Sequence, residues 1–516
     1  MTVRASRGPL ARVCGLLVAG VVAASASVPA AASASTASPQ TTVPEPGSQP
    51  TGTPRLTAGT ATASSTRIAA SSTVTGYPSA TLRTRLTARS GSLDPTFGGR
   101  VLNAASGRAV WTRGSTRAVL PASTAKITTA LTALETFGPN HRYRTIVFRT
   151  KASPRTLYLQ GSGDPTLTSA QLRRLAAVVA KDAKARGVRS VYVRYDDYLF
   201  PEPTNAQGWL PEDVPRWVAP VRALVRDQRN LSNTSADAAT YFSRYLQVNG
   251  LAVASTQRAR TPSDRIKVAN SISPVLSTIV ADMLRVSQND YAEALLWTAG
   301  IKAGAPKTWA GVTGHARTTL ARRGVPLTSV VIRDGSGISR SNRTSAYSLA
   351  ALVSIIYRDP ALRSVFFAPT ALPIAGRTGT LETRFGTAPA SCAVGRVVGK
   401  TGSLKDVTAL AGVAHGVDGT PRAFAFVSNR RLSTATVRDG STCSPPRRRC
   451  ACEDGTRAAV AADQPAARSS REPRPVTSPV RSSSGRASSR VTSSSSSGAV
   501  STRGPASVGR SSASSS

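Results

Sequence analysis

The sequence predicts a mixed α/β protein of the α+β type, in which one sheet is assembled from both ends of the folded body around a long insertion. Three observations carry this. Short β-branched and apolar runs bounded by turn residues occur near residues 99–112 and again near 396–427. Between them, apolar residues recur at helical spacing in stretches of ten or more residues. And 516 residues with 40% hydrophobic content suffice to bury a sizeable core, which excludes wholesale disorder.

Taken in order, the chain opens on a basic segment with Arg4, Arg7 and Arg12, followed by an apolar run of twelve residues from Val13 to Ala24. Ala32-Ser33-Ala34 then offers small residues of the kind a signal peptidase reads. A membrane span needs about 20 apolar residues, so residues 1–34 read as a cleaved export signal. The mature protein is expected outside the cytoplasm (extracellular, on the cell wall or in a periplasm), with no transmembrane segment after cleavage. Cys14 precedes most of the apolar run, which does not fit a lipoprotein cysteine. Residues 35–77 are rich in Thr, Ser, Pro and Ala and read as a flexible linker.

The folded body follows. Gly99–Asn103 and Ala109–Thr112 are expected as strands joined around Ser106-Gly107. A helix is expected from Ser123 to Phe137, with Ile127, Leu131 and Leu134 on one face. Thr145–Arg149, Leu157–Leu159 and Val188–Val193 read as strands, and Ser169–Lys184 as an amphipathic helix. Two more helices fit Pro274–Val286 and Tyr291–Ala299. Arg396–Lys400, Thr408–Val413 and Arg422–Val427 close the body as neighbouring strands.

From residue 441 onward the composition changes again. The last 76 residues hold 22 serines and 12 arginines against four acids, a local charge of +8. Such a tail reads as disordered and basic. It also reads as out-of-frame sequence: Ser441-Thr442-Cys443-Ser444-Pro445-Pro446, back-translated with GC-rich codons and shifted by one base, gives Leu-Asp-Val-Leu-Ala-Ala. A frameshifted C-terminus is therefore expected, and a coding DNA whose shifted frame does not continue as an apolar helix rules it out.

Charge narrows the function less than its size suggests. Lys+Arg is 66 against 26 for Asp+Glu, a net +40, which ordinarily points to a nucleic-acid or anionic-polymer partner. Only nine of the 66 are lysine, and an arginine-dominated, Ala/Thr/Ser/Val-rich chain also fits GC-rich coding. On an exported chain no nucleic-acid partner is expected; an anionic cell wall is a plausible target for the positive charge. Three of the five cysteines (Cys443, Cys450, Cys452) lie in the tail, so no disulfide framework is read. His141, His315 and His415 show no metal-ligand spacing, and no metal or cofactor is expected. No Gly-x-Ser-x-Gly occurs, which disfavours a Ser-His-Asp scheme.

Three short motifs carry the chemistry. Ser123-Thr124-Ala125-Lys126 opens the first strong helix and is the only Ser-x-x-Lys in the chain. That spacing puts both side chains on one helical face, where a neutral amine can take the proton of a hydroxyl that is otherwise a poor nucleophile. The helix N-terminus disfavours a further positive charge on the lysine. Ser287-Gln288-Asn289 places a hydroxyl and an amide on one side of a turn, a proton relay and a carbonyl holder. Lys400-Thr401-Gly402-Ser403 is expected at the end of a strand, with a cation and a hydroxyl to receive a carboxylate and a glycine to let backbone come close. A backbone N–H at Ser403 could join that of Ser123 in an oxyanion hole. Each motif alone is ordinary: a capped helix, a local turn, a strand end. Gly376-Arg377-Thr378-Gly379-Thr380 even mimics the third.

In this order they form the motif set of penicillin-recognising serine enzymes. Ser123 precedes Ser287 by 164 residues and Lys400 by 277. With that long middle, the chain resembles the class C low-molecular-mass penicillin-binding proteins, the D-alanyl-D-alanine carboxypeptidase/endopeptidases of the penicillin-binding protein 4 type. The resemblance spans about residues 79–440 and rests on Pro121–Lys126, Gly161–Leu167, Ser287–Glu293, Asp334–Arg340 and Gly399–Leu404; Gly376–Leu381 resembles a segment the family carries just before its Lys-Thr-Gly.

The resemblance implies a penicillin-binding, serine β-lactamase-like domain, an antiparallel sheet flanked by helices, split into residues 78–144 and 266–440. An inserted domain would occupy 145–265. It implies that Ser123 attacks the bond between two terminal D-alanines of a peptidoglycan stem peptide, with Lys126 as base and Ser287 passing the proton to the leaving D-alanine. Asn289 would orient the substrate or Lys126, Lys400 and Thr401 would bind the terminal carboxylate, and the Ser123 and Ser403 amides would hold the oxyanion. β-Lactams would acylate Ser123 as covalent inhibitors. The family's catalytic domain ends in a helix where this chain carries its Arg/Ser tail. Two other readings are kept, a β-lactamase with the same motifs and a non-catalytic basic wall-binding protein. Carboxypeptidase and endopeptidase action would use this one site.

Overall fold

The computed structural model describes residues 79–429. The expected export signal, the linker, the basic tail with its out-of-frame reading and Cys14, Cys443, Cys450 and Cys452 lie outside the described residues.

In chain order, helix α1 (Ser79–Ser90) leads into strands β1 (Gly98–Asn103) and β2 (Ala109–Arg113), then a 3-10 turn (Ala122–Ala125) that runs into α2 (Lys126–Phe137). A second group follows: β3 (Arg144–Thr150), β4 (Thr156–Gln160), α3 (Ser169–Ala185), β5 (Ser190–Asp196), α4 (Thr234–Val248), β6 (Ala252–Arg258) and β7 (Arg265–Ile272). Five helices come next: α5 (Leu276–Val286), α6 (Asn289–Lys302), α7 (Trp309–Arg322), α8 (Ala346–Arg358) and α9 (Pro360–Phe366). Strands β8 (Val397–Leu404), β9 (Val407–His415) and β10 (Pro421–Ser428) end the fold.

The first sheet has the order β2-β1-β10-β9-β8 and is antiparallel throughout. Residues more than 300 positions apart therefore pair directly, as Val101 does with Phe424. Both faces of this sheet are covered, so its inner strands read as continuous apolar runs rather than alternating ones. In β10, Ala423, Ala425 and Val427 join the core made with α2, α5 and α8, while Phe424 and Phe426 join the opposite core with Leu82 and Leu86 of α1. In β9 the same alternation sends Ala409, Ala411 and Val413 one way and Leu410 and Ala414 the other. Small residues thus face the helices that carry the site, and large aromatics face α1.

The second sheet, between the Ser-x-x-Lys and Ser-x-Asn segments in sequence, is mixed, with order β6-β5-β4-β3-β7. Parallel pairing of β4 with β5 and of β5 with β6 requires crossovers, and α3 and α4 provide them. These two helices bury Leu172, Leu175, Val179, Phe242 and Leu246 against Leu157, Leu159, Val191 and Val193. α3 starts at a capping box, with Thr168 and Gln171 satisfying each other's backbone donors, and α4 starts at Asn233, whose side chain accepts from Ala236 N.

Two expectations are corrected. The helix expected from Ser123 begins as a 3-10 turn and becomes α-helical only at Lys126. The Lys-Thr-Gly-Ser segment does not end its strand: β8 continues through it to Leu404, because every residue from Val397 to Leu404 pairs with β9.

Phe424 is fully buried between Val101 and Gly412 on neighbouring strands. Phe424→Ala is expected to cost about 3–5 kcal/mol in chemical denaturation, whereas Tyr192→Ala, on a half-exposed strand face, should stay within about 0.5 kcal/mol. Equal losses from the two would show that the aromatic face of β10 is not a packed core.

Candidate active site

The turn that presents Ser123 is bent at the residue before it. Ala122 has φ +46°, a conformation uncommon outside glycine and one that clusters at functional sites. Its carbonyl faces Gly337, where a Cβ would lie 1.9 Å from the Ala122 oxygen, so only glycine fits there. β8 also approaches this turn: a Cβ on Gly402 would be 2.8 Å from Pro121 O and 3.1 Å from Ala122 Cβ. Asn429, just past β10, holds the lead-in strand, its side chain accepting from Leu120 N (2.7 Å) and donating to Leu120 O (3.2 Å).

Lys126 is the hub. Its side chain is fully buried, and Nζ donates to Ser123 Oγ (3.0 Å), Asn289 Oδ1 (2.7 Å) and the Ser336 carbonyl (2.7 Å). Burial brings its pKa down to about 8 against the pull of Asp334, Glu293 and Asp290. An amine that loses its proton that readily can serve as a base beside a hydroxyl.

The second motif is arranged by two helix ends. Ser287 ends α5 in the left-handed region at φ +65°, its N–H closing on Met283 O, and its hydroxyl makes no hydrogen bond to another described residue. Asn289 opens α6; its amide nitrogen donates to the Trp217 carbonyl (2.8 Å), which leaves the amide oxygen for Lys126. Asp290 accepts from Ala219 N (2.7 Å), and burial raises its pKa to about 6. Gln228 also reaches this end of α6, donating to Tyr291 Oη (3.1 Å). The segment around 217–228 therefore steadies the second motif from the stretch between the first two.

In the third motif Lys400 is fully buried, with Nζ donating to the Thr401 carbonyl (2.9 Å). Burial, together with the charges of Lys126 and Arg384, holds its pKa well below the usual lysine range. Thr401 Oγ1 lies 2.8 Å from Thr380 Oγ1, and Ser403 is exposed. The Gly376–Leu381 segment thus enters the site as a neighbour of the Lys-Thr-Gly strand.

Sequence reasoning missed four contributors. Ser336 supplies a backbone carbonyl, which leaves no residue-type signal. Trp217 and Ala219 also act through backbone atoms. Glu293 accepts from Gly335 N (2.9 Å) and Ser336 N (2.7 Å); its place four residues after Asn289, on the same helix face, was the available clue. Among the described residues no group of His, Cys, Asp and Glu could hold a metal ion. A hydroxyl beside a low-pKa amine, with a further hydroxyl at Ser287 and a buried lysine at Lys400, supplies the kinds of group that acyl transfer through a covalent intermediate needs.

Known proteins resemble this chain over nearly all the described residues. The profile of the D-Ala-D-Ala carboxypeptidase 3 (S13) family matches residues 80–230 and 225–443. Carboxypeptidase DacB of Mycolicibacterium smegmatis is 30% identical over 377 residues, covering 68% of this chain and 81% of that protein. The D-alanyl-D-alanine carboxypeptidase of an Actinomadura species is 28% identical over 437 residues, covering 65% and 78%. Among solved structures, penicillin binding protein 4 (dacB) from Haemophilus influenzae superposes with a TM-score of 0.60 at 21% identity, over 71% of this chain and 97% of that one, a likeness of fold.

Gly337→Ala is expected to destabilise the protein by about 1–3 kcal/mol, since a Cβ must displace the Ala122 carbonyl at a backbone φ of +85°. A thermal melt unchanged from wild type would mean that the two loops do not touch.

Proposed function

The chain belongs to the D-Ala-D-Ala carboxypeptidase 3 (S13) family of serine-type, penicillin-binding peptidases, and on that premise we propose that Ser123 is its nucleophile, Lys126 the base and Lys400 with Thr401 the receptor for the substrate's terminal carboxylate. One observation carries the assignment: residues of two motifs, Ser123 and Asn289, 166 positions apart, converge on the amine of Lys126.

The substrate is a peptidoglycan stem peptide ending in D-Ala-D-Ala. Neutral Lys126 takes the Ser123 proton as Oγ attacks the carbonyl of the penultimate D-alanine, and the Ser123 and Ser403 amides receive the oxyanion. Collapse of the tetrahedral intermediate breaks the peptide bond, and Ser287, whose hydroxyl has no other described partner, passes the proton to the departing D-alanine nitrogen. Water then attacks the acyl-enzyme and returns Ser123 with the shortened stem peptide. Cleavage of a cross-link is the same step with a longer leaving group. Lys400 is held below its usual pKa by burial, by Lys126 and by Arg384; an arriving carboxylate favours its charged form, so carboxylate binding and protonation reinforce each other. β-Lactams present a carboxylate and a strained amide in the same relation and acylate Ser123.

The reaction takes place outside the cytoplasm, to which the export signal expected over residues 1–34 would direct the chain. No helix among the described residues is long and apolar enough to cross a membrane.

Incubation with penicillin should leave a long-lived mass adduct on Ser123 that is absent from Ser123→Ala, and the purified protein should release D-alanine from a D-Ala-D-Ala stem peptide. No adduct, or an adduct that persists in Ser123→Ala, sinks the assignment, while rapid turnover of the adduct would mark a β-lactamase. Because the base must be neutral and its pKa is about 8, the acylation rate should rise about tenfold per pH unit below that value and level off above it. A rate independent of pH between 6 and 9 would exclude Lys126 as the base.

A further inference from the structure

We propose that Glu293 is a positioning residue that aims the unshared electron pair of Lys126 at the Ser123 hydroxyl, by holding the Ser336 carbonyl in place. This rests on the reading of Ser123 as nucleophile and Lys126 as base.

A lysine ammonium has three N–H bonds, and Lys126 meets three acceptors: Ser123 Oγ, Asn289 Oδ1 and Ser336 O. The neutral amine has two N–H bonds and one electron pair. When both N–H bonds stay on Asn289 and Ser336, at 2.7 Å each, the electron pair points at Ser123. If either acceptor moves, the amine is free to rotate and donate to Ser123 instead, and proton abstraction stops. The two carbonyl oxygens are therefore a matched pair, and each must be fixed independently.

Both are fixed from one face of α6. Asn289 and Glu293 are four residues apart, so their side chains lie side by side. Asn289 touches Lys126 itself. Glu293, which is 1% exposed, touches the loop: one carboxylate oxygen accepts from Gly335 N and the other from Ser336 N. With its N–H groups taken by Glu293, the Gly335–Ser336 backbone can turn only in ways that keep both bonds. Thr129, on the Lys126 helix, donates to the Gly335 carbonyl (2.6 Å) and ties the loop to α2. Asp334 closes the loop from inside, accepting from Gly337 N (2.9 Å), Ser339 N (2.7 Å), Asn342 Nδ2 (2.6 Å) and Trp209 Nε1 (2.9 Å). Asp334 shapes the loop, and Glu293 docks it onto the catalytic helix pair.

A second consequence is electrostatic. The charged groups acting on Lys126 are Asp334, Glu293 and Asp290, all of which favour its protonated form; Lys126 in turn lowers the pKa of Lys400. The Glu293 carboxyl is itself raised to about 8, by burial and by Asp334. In its ionised form Glu293 is one of three attractions on the Lys126 proton, so removing it loosens that proton where the two groups titrate, which a purely structural prop would not do.

The test is single-turnover acylation of the full chain by penicillin across pH, with kcat and KM for D-alanine release. Glu293→Gln keeps the shape but offers one acceptor where two are needed. Its plateau acylation rate should fall about 10- to 100-fold with KM little changed, and its pH limb should move below 8. Glu293→Asp keeps the charge and loses the reach, so it should lose rate while the limb stays put. A folded Glu293→Gln with the wild-type plateau and limb, or with its whole loss in KM, overturns the proposal. If Glu293→Gln does not fold, Thr129→Val carries the test by freeing the same loop at Gly335: a several-fold fall in kcat at unchanged KM supports the proposal and an unchanged kcat overturns it. Failure of the wild-type protein to be acylated at Ser123 is a different result, and it would reject the site assignment.

Discussion

The buried amine of Lys126 is the constraint around which the rest is arranged. Taking an ammonium out of water is costly unless its protons find acceptors and its charge finds partners. A pKa moved from the usual 10.5 to about 8 corresponds to about 3 kcal/mol of bias toward the neutral form. Three acceptors and three nearby carboxyl groups keep that bias from growing further, and the balance leaves the group poised between its two states. Each acceptor comes from a different element: the 3-10 turn, the start of α6 and the loop after Arg333.

Those elements meet only because small residues let them. The strands facing α8 present Ala409, Ala411, Ala423 and Ala425, so that helix settles close to the sheet. Gly337 and Gly402 admit two backbones to contact with Ala122. The aromatic weight of the domain, Phe97, Trp111, Phe424 and Phe426, is kept on the far face under α1, where rings stack on one another without crowding the cleft. The segment between the first two motifs contributes more than its own sheet. Its residues 217–219 satisfy the free polar groups of Asn289 and Asp290 and so complete the second motif.

Much of this was legible from residue patterns. β9 and β10 announced themselves as apolar runs because both sheet faces are buried, and α2 and α3 by clean helical periodicity. α4 was missed because Ala, Ser and Thr dilute its apolar face, and β6 and β7 because one side of each is exposed and polar. The Lys-Thr-Gly strand was expected to stop at Lys400, ahead of a glycine, a residue that usually weakens a strand; in the structure that glycine is what lets β8 pass alongside Pro121 and Ala122.

The sequence by itself determined the mixed fold class and the order of three motifs whose joint chemistry is acyl transfer at a serine, since nucleophile, base and carboxylate receptor are side-chain types with fixed local spacing. Tertiary structure alone decided how the base is held. The Ser336, Trp217 and Ala219 groups at the site are backbone atoms, identical in every residue, and only folding specifies where they point. Glu293 could be seen in the sequence, but its partners, the amides of Gly335 and Ser336, lie more than forty positions away. Burial, which sets the proton affinity of Lys126, is likewise a property of the assembled core and not of any segment that builds it.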